Sequence, residues 1–134
     1  MSAVTSLVCF LMLVMGAAIE TASAQKFGVY TLTMTSPNLL NVFSGDLATG
    51  HITFVEAIAT GGNGTGVQSQ DAVTVFGNYI FAVNPLSNSL SLFWINPQDP
   101  TIVKLVNTPV STHGDFPDTV TASTFTYIIF KLFN

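Results

Sequence analysis

The chain has 134 residues, which is room for one domain at most, and only 7% of them are charged. All three basic side chains are lysines, there is no arginine, and the formal net charge is −4. Because phosphate neutralisation needs clustered lysine and arginine, this composition argues against a nucleic-acid-binding protein and against docking on an anionic membrane surface. We expect no nucleic acid as a partner, and no membrane once the leader described next has been removed.

The N-terminal segment has the pattern of a secretory signal peptide. Leu7–Ile19 is almost entirely apolar but shorter than the about 20 residues that span a bilayer as a helix. The small residues Ala22–Ala24 then match a cleavage signal. We predict removal of residues 1–24, with Gln25 as the new N-terminus of a secreted, extracellular protein. A buried core helix or an uncleaved anchor is the alternative that the pattern leaves open.

The position of the single cysteine indicates a mature chain without disulfide bonds. The one cysteine, Cys9, lies inside the predicted leader. The mature chain would therefore hold no thiol, which excludes a disulfide, thiolate catalysis and a cysteine zinc site within it. Stability would have to come from packing alone.

The remainder of the chain has strand signals. Short runs rich in valine, isoleucine, phenylalanine, tyrosine and threonine alternate with glycine, proline, asparagine and aspartate, and no window shows helical periodicity. We predict an all-β fold after the signal-peptide helix, with a hairpin loop bracketed by Gly45-Asp46 and Thr49-Gly50 and a polar surface loop at Gly61–Gln70. The predicted strands are Phe27–Thr33, Leu39–Ser44, His51–Ala57, Ala72–Val75, Tyr79–Asn84, Ser89–Ile95 and Thr101–Val106.

These strands repeat with an offset of about 50 residues. In each unit a strand, a turn containing proline and asparagine, a second strand, a polar loop and a third strand follow in the same order. A β unit of this length is the period of propeller blades. An antiparallel sandwich has similar strand spacing, so periodicity alone leaves both architectures open.

Several stretches resemble one family in their order and spacing. They are distributed over residues 26–120, most of the mature chain: Phe27–Thr33, His51–Phe54, Ala57–Gly62, Ala82–Asn84, Ser87–Leu90, Phe93–Pro100, Pro109–Ser111 and Gly114–Pro117. They are similar to the first part of fungal secreted proteins of the lactonase type, which resemble carboxymuconate cyclase and 6-phosphogluconolactonase. The resemblance implies a seven-bladed β-propeller and lactone ring opening or closing on a small carboxylated substrate.

The same resemblance predicts an incomplete propeller. Residues 25–120 correspond to about two blades, and Thr121–Asn134 departs from the family, so we expect a truncated or aberrant C-terminal tail. Two blades cannot close a ring and leave both outer faces bare and apolar. The β-prone run Phe125–Phe133 adds an aggregation hazard. We therefore expect the isolated 25–134 polypeptide to be unstable or to associate with itself through exposed strand edges.

The candidate site residues are few. Propeller loops converge on a central channel, so His113 and Asp115 are the ligand-binding candidates, for a small carboxylated lactone if further blades complete the ring. His51 and His113 have no metal-binding spacing, and we predict no metal and no cofactor. We interpret His51 as a turn residue and Asp115 and Asp118 as solvated loop carboxylates.

Asparagine and aspartate account for the remaining candidates. Asn63 begins the chain's one N-glycosylation sequon, in the predicted surface loop. Asp46, Asp71 and Asp99 lie in turns, where their side chains accept bonds from nearby backbone amides. No catalytic residue can be carried over from the resembling enzymes, whose arginines have no counterpart here. The alternative to an inactive lactonase-like fragment is a non-catalytic secreted β-rich binding or surface protein.

Overall fold

Ten β-strands and one short 3₁₀ turn form the described part of the chain. The structure is a computed structural model that describes residues 25–65, 70–106, 108–124 and 128–132, the last of these as backbone only. The predicted leader, residues 1–24, lies outside the described residues. No helix among the described residues is long and apolar enough to cross a bilayer. The all-β class that the sequence predicts is confirmed for the described residues.

The first seven strands are those that the sequence predicts, with ends displaced by no more than two residues. Three further strands were not among the seven predicted. The strands are β1 Lys26–Leu32, β2 Leu39–Asp46, β3 Ile52–Ala59, β4 Val73–Phe76, β5 Tyr79–Asn84, β6 Ser89–Asn96, β7 Asp99–Leu105, β8 Val110–Ser111, β9 Pro117–Ala122 and β10 Ile128–Leu132, with the 3₁₀ turn at Pro85–Ser87.

The strands form three antiparallel sheets in chain order. The first sheet has the order β1-β2-β3, the second β4-β5-β6-β7, and the third consists of β9 and β10. The short strand β8 also pairs with β6. Residue 120, the predicted boundary between the β-rich region and the C-terminal tail, falls inside β9, and the backbone of β10 pairs with β9. Part of the predicted tail therefore continues the succession of sheets.

The turn between β2 and β3 confirms the predicted hairpin. Oδ1 of Asp46 accepts hydrogen bonds from the backbone N–H groups of Ala48 (2.7 Å) and Thr49 (3.2 Å). Gly50 closes the turn with φ of +71°, a conformation that a residue without Cβ adopts at no steric cost. The short polar side chain and the glycine together fix the loop length, and thereby the register of β2 with β3.

The second sheet is buried on both faces. Alternation along β6 puts Phe93 and Ile95 on the face toward the first sheet, while Leu90 and Leu92 point to the opposite face, toward β9. A strand covered on both sides needs apolar residues in both phases of its alternation. The first core consists of Leu40, Val42, Ile80, Ala82, Phe93, Ile95 and Val103, and the second of Phe81, Val83 and Val120.

A tyrosine ties the first sheet to β7 of the second sheet. The hydroxyl of Tyr30 donates a hydrogen bond of 2.6 Å to the carbonyl oxygen of Pro100, and the ring lies against Gly28, where a side chain would collide with it. Burial raises the pKa of Tyr30, and the neighbouring Asp99 carboxylate raises it further. The pKa of Asp99 is itself lowered, chiefly by hydrogen bonds from the side chain and backbone of Thr101.

Replacing Tyr30 with phenylalanine is expected to lower the free energy of unfolding at pH 7 by about 0.5–1.5 kcal/mol, the net value of one intramolecular hydrogen bond. Since the raised pKa favours the protonated phenol in the folded state, this contribution is complete below the unfolded pKa of about 10 and is lost as the pH rises through the folded pKa. Urea denaturation at pH 7 and pH 11 measures both effects. Tyr79→Phe, at an exposed position, is the control; an equal loss there would contradict the assignment.

Candidate functional site

One end of the first and second sheets carries a buried polar cluster. Asn38, Thr60, Asn84 and Ser91, here called the amide cluster, have no exposed surface. Oδ1 of Asn84 accepts hydrogen bonds from Asn38 Nδ2 (3.1 Å) and from the Thr60 hydroxyl (2.7 Å). Its Nδ2 donates to Ser91 Oγ at 2.8 Å. Because buried amides are stable only when hydrogen-bonded, the cluster fixes how the two sheets meet.

The amide cluster also orders the loop that leaves the first sheet. Ser91 Oγ donates to the Thr60 carbonyl at 2.8 Å, and the Gly62 N–H donates to the Thr60 hydroxyl at 3.2 Å. A Cβ at Gly62 would collide with the side chain of Asn84, so the backbone reaches the cluster only as glycine. The start of the predicted loop Gly61–Gln70 is therefore held in place, while residues 66–69 lie outside the described residues.

A second cluster lies at the corresponding end of the second sheet. Asn88, in the turn between β5 and β6, donates from Nδ2 to Asp115 Oδ1 (3.0 Å) and accepts at Oδ1 from the Phe116 N–H (2.9 Å). Its backbone carbonyl accepts from the N–H of Thr112 at 2.9 Å. Asn88, Thr112, Asp115 and Phe116, here called the loop cluster, hold the segment between β8 and β9 against the second sheet.

The same type of threonine–asparagine contact occurs in both clusters. The N–H of Thr60 donates to the carbonyl of Asn38 at 3.1 Å, and the Thr60 hydroxyl lies 3.1 Å from the same oxygen. The N–H of Thr112 donates to the carbonyl of Asn88 at 2.9 Å, with its hydroxyl 3.0 Å away. The asparagines are 50 residues apart and the threonines 52. The repeat that the sequence predicts thus extends to individual hydrogen bonds.

The two ligand-binding candidates lie close together in the segment between β8 and β9. His113 is exposed, with φ of +54°, and its backbone N–H donates to Ser111 Oγ at 3.1 Å. Asp115 is also exposed, and its carboxylate is engaged by Asn88. The described contacts thus give Asp115 a role in shaping the loop, and they do not join it to His113.

The carboxylates follow the sequence interpretation only in part. Asp115 is exposed, as predicted, but Asp118 is buried in β9, so its interpretation as a solvated loop carboxylate was wrong. The prediction failed because Pro117 begins a strand where we expected a turn to continue. Asp46 and Asp99 accept backbone N–H groups, as predicted for turn residues. Asp71 precedes β4 with φ of +54°.

His51 directly precedes β3 and is exposed, which agrees with its interpretation as a turn residue. It lines an open depression of about 530 Å³, together with Lys26, Ser44, Asp46, Thr49 and Thr53. Within the part of the chain that the structure describes, no three histidine, cysteine, aspartate or glutamate residues lie close enough to hold a metal ion.

Asn63 lies exposed on the loop after the first sheet. The Ser36 hydroxyl donates to its Oδ1 at 2.9 Å, and its backbone N–H donates to Ser87 Oγ at 2.7 Å. The N–H of Leu86 donates to its carbonyl at 3.1 Å. The sequon is thus presented at the surface between two anchored turns.

The residues that organise this end of the molecule were missed by sequence reasoning. Asn38, Thr60, Asn88 and Thr112 carry no motif, and each is of a residue type common in turns. Their shared period of about 50 residues was the one available signal.

The chain matches no protein-family model, no curated protein and no solved structure. The fold therefore defines its class no further than an all-β chain of successive antiparallel sheets. The resemblance to lactonase-type proteins stays a prediction from the stretches quoted from the sequence.

Proposed function

We propose that this chain contains the first two blades of a secreted lactonase-like β-propeller, related to proteins of the carboxymuconate cyclase and 6-phosphogluconolactonase type, and that it is inactive by itself. The observation that carries the proposal is the repeated contact between Asn38 and Thr60 and between Asn88 and Thr112. Equivalent hydrogen bonds in consecutive sheets are expected when each sheet is one copy of the same structural unit.

The stacking of the sheets supports the same proposal. The first sheet packs on the second through a shared apolar core, and β9 packs on the opposite face of the second sheet through Val120. Blades of a propeller bury their faces against both neighbours in this order. The pairing of β9 with β10 would then begin a third blade.

The proposed inactivity follows from geometry. A propeller's central pocket is enclosed only when the blades close a ring, and two blades with the start of a third cover one sector of it. His113 and Asp115 lie on the segment between the second and third sheets, where they would face a ligand only after further blades had been added. The substrate class, a small carboxylated lactone, comes from the family likeness.

Two measurements test this proposal. The purified chain is expected to hydrolyse simple γ- and δ-lactones no faster than buffer, and catalytic ring opening would refute the inactivity. The transcript from the same locus is expected to encode further repeats of about 50 residues after codon 120. A mature message with an in-frame stop after Asn134 would refute the proposed membership of a larger propeller.

Export has its own test. In a eukaryotic secretory host, we expect the chain in the medium with Gln25 as its first residue and one N-linked glycan at Asn63. Asn63→Gln should abolish the mass lost on glycosidase treatment, whereas Asn41→Gln, at a position without a sequon, should leave it unchanged. Retention in the cell with residues 1–24 attached would contradict the predicted signal peptide.

A further inference from the structure

The residue with which the predicted mature chain begins is anchored by its backbone. Gln25 is exposed and lies directly before β1. Its carbonyl oxygen accepts a hydrogen bond of 3.1 Å from the backbone N–H of Leu47, which ties this end of the chain to the turn between β2 and β3. Among the contacts between described residues, none engages the side-chain amide of Gln25. The side chain can therefore rotate without displacing a packed neighbour.

Removal of residues 1–24 places two reactive groups on this one residue. The new α-amino group is a nucleophile, and the amide carbon Cδ of the same residue has the spacing that closes a γ-lactam ring. The ring consists of N, Cα, Cβ, Cγ and Cδ, so the backbone carbonyl that Leu47 binds stays outside it. Closure of the ring therefore leaves the anchoring hydrogen bond of Gln25 intact.

The strand that follows Gln25 is held from one side. Among the described strands, β1 lies at the edge of the first sheet and pairs with β2. Its residues Tyr30 and Leu32 pack against the first core. Chain ends and edge strands open most easily, so exopeptidases can reach a terminal residue at this place. Stepwise trimming from a free α-amino group would remove β1 and uncover part of that core.

We propose that Gln25 is a modification site, at which the side chain of the mature N-terminus closes on its own α-amino group to form pyroglutamate and caps β1. The neutral α-amino nitrogen attacks Cδ and a C–N bond forms. The bond from Cδ to Nε2 breaks, and Nε2 leaves as ammonia with one proton from the attacking nitrogen. The lactam carries no charge, so the cation that cleavage creates at the terminus disappears. This inference rests on the proposed removal of residues 1–24 and on no property of lactonase-type proteins.

Mass spectrometry of the N-terminal proteolytic fragment, from chain secreted by a eukaryotic host, tests the proposal. The wild-type fragment is expected to weigh one ammonia less than its sequence from Gln25 requires, and the secreted chain should resist Edman degradation. Treatment with pyroglutamyl peptidase should then expose Lys26 as the first residue. A secreted wild type in which Gln25 keeps its ammonia and a free α-amino group would overturn the proposal.

Gln25→Asn is the matched control variant. It keeps a side-chain amide, but the side chain is one methylene shorter, and closure on the α-amino group would require a strained β-lactam. The variant is expected to keep a free α-amino group, and an N-terminus blocked to the same extent as in the wild type would refute closure of the glutamine side chain. An aminopeptidase should shorten the folded variant and leave the wild type intact. Equal resistance of the two chains would refute the capping of β1.

A chain released in vitro separates failure of cyclisation from failure of export. A fusion protein from which a site-specific protease releases residues 25–134 yields a chain that starts at Gln25, whether or not residues 1–24 act as a signal peptide. We expect glutaminyl cyclase to convert this folded chain as fast as a synthetic peptide of residues 25–31, because Gln25 is exposed. Conversion of the peptide but not of the folded chain would refute the proposal. Secretion with residues 1–24 attached would refute the predicted signal peptide, and the chain released in vitro would still decide the cyclisation.

Discussion

Replacing Leu40 with alanine is expected to lower the free energy of unfolding by about 3 to 5 kcal/mol. Leu40 has no exposed surface and belongs to the core between the first and second sheets. Truncation removes buried methyl groups and leaves a cavity between two sheets whose strands are held in register and cannot collapse around it. Since the free energy of unfolding of a domain of this size is about 5 to 15 kcal/mol, the substitution should remove a large part of it.

Leu86→Ala is the matched control for this prediction. Leu86 is 58% exposed in the 3₁₀ turn, so the same truncation there should change the free energy of unfolding by about 0.5 kcal/mol or less. Urea denaturation followed by Trp94 fluorescence, at concentrations where the chain is monomeric, measures both variants. Equal effects at the two positions would show that the first and second sheets do not share a core in solution.

Replacing Asn84 with alanine should lower the free energy of unfolding by about 2 to 4 kcal/mol, for a different reason. The substitution deprives Asn38 Nδ2, the Thr60 hydroxyl and Ser91 Oγ of a partner at once, in a site without exposed surface. Each of the three keeps a backbone carbonyl as a second partner, that of Val83, Asn38 or Thr60 respectively, so each lost bond costs about 0.5 to 1.5 kcal/mol. The loss therefore exceeds that of an ordinary surface hydrogen bond several times over.

A double-mutant cycle distinguishes loss of the network from loss of packing. If the amide cluster acts as a unit, Asn84→Ala should destabilise the Thr60→Val variant less than the wild type, by about 1 kcal/mol or more. Asn41→Ala is the control, because its side chain makes one solvent-exposed hydrogen bond of 3.4 Å to Thr31. Additive effects of the two cluster substitutions would show that these groups do not share a network.

Much of the secondary structure could be predicted because it follows from local rules. The hairpin between β2 and β3 was evident from Gly45-Asp46 and Thr49-Gly50, since turn chemistry depends on neighbouring residues alone. By contrast, β8 has two residues, too few for an alternating pattern, and β9 begins at a proline that resembles a turn signal. Local patterns could not identify either of them, because their pairing partners lie elsewhere in the chain.

The candidate site was harder to predict than the strands. His113 and Asp115 were chosen for their chemistry, but Asp115 binds Asn88 and helps to shape the loop. The burial of Asp118 depends on the strands that cover β9, and no pattern within ten residues of it indicates them. Similarly, Asn38 and Asn84 resemble turn residues until the partner 46 residues away is known.

The sequence by itself determined the low charge, the β-rich elements, the hairpin turn and the repeat of about 50 residues. These features depend only on composition, on residues adjacent in the chain and on spacing along it. Only the tertiary structure decided that other strands pack on both faces of the second sheet, while none of the described strands packs on the outer face of the first. Burial of a sheet face depends on which strands pack against it, and the same alternation of Val29 and Phe43 would suit either outcome. The stacking order of the sheets therefore decides which apolar side chains stay exposed.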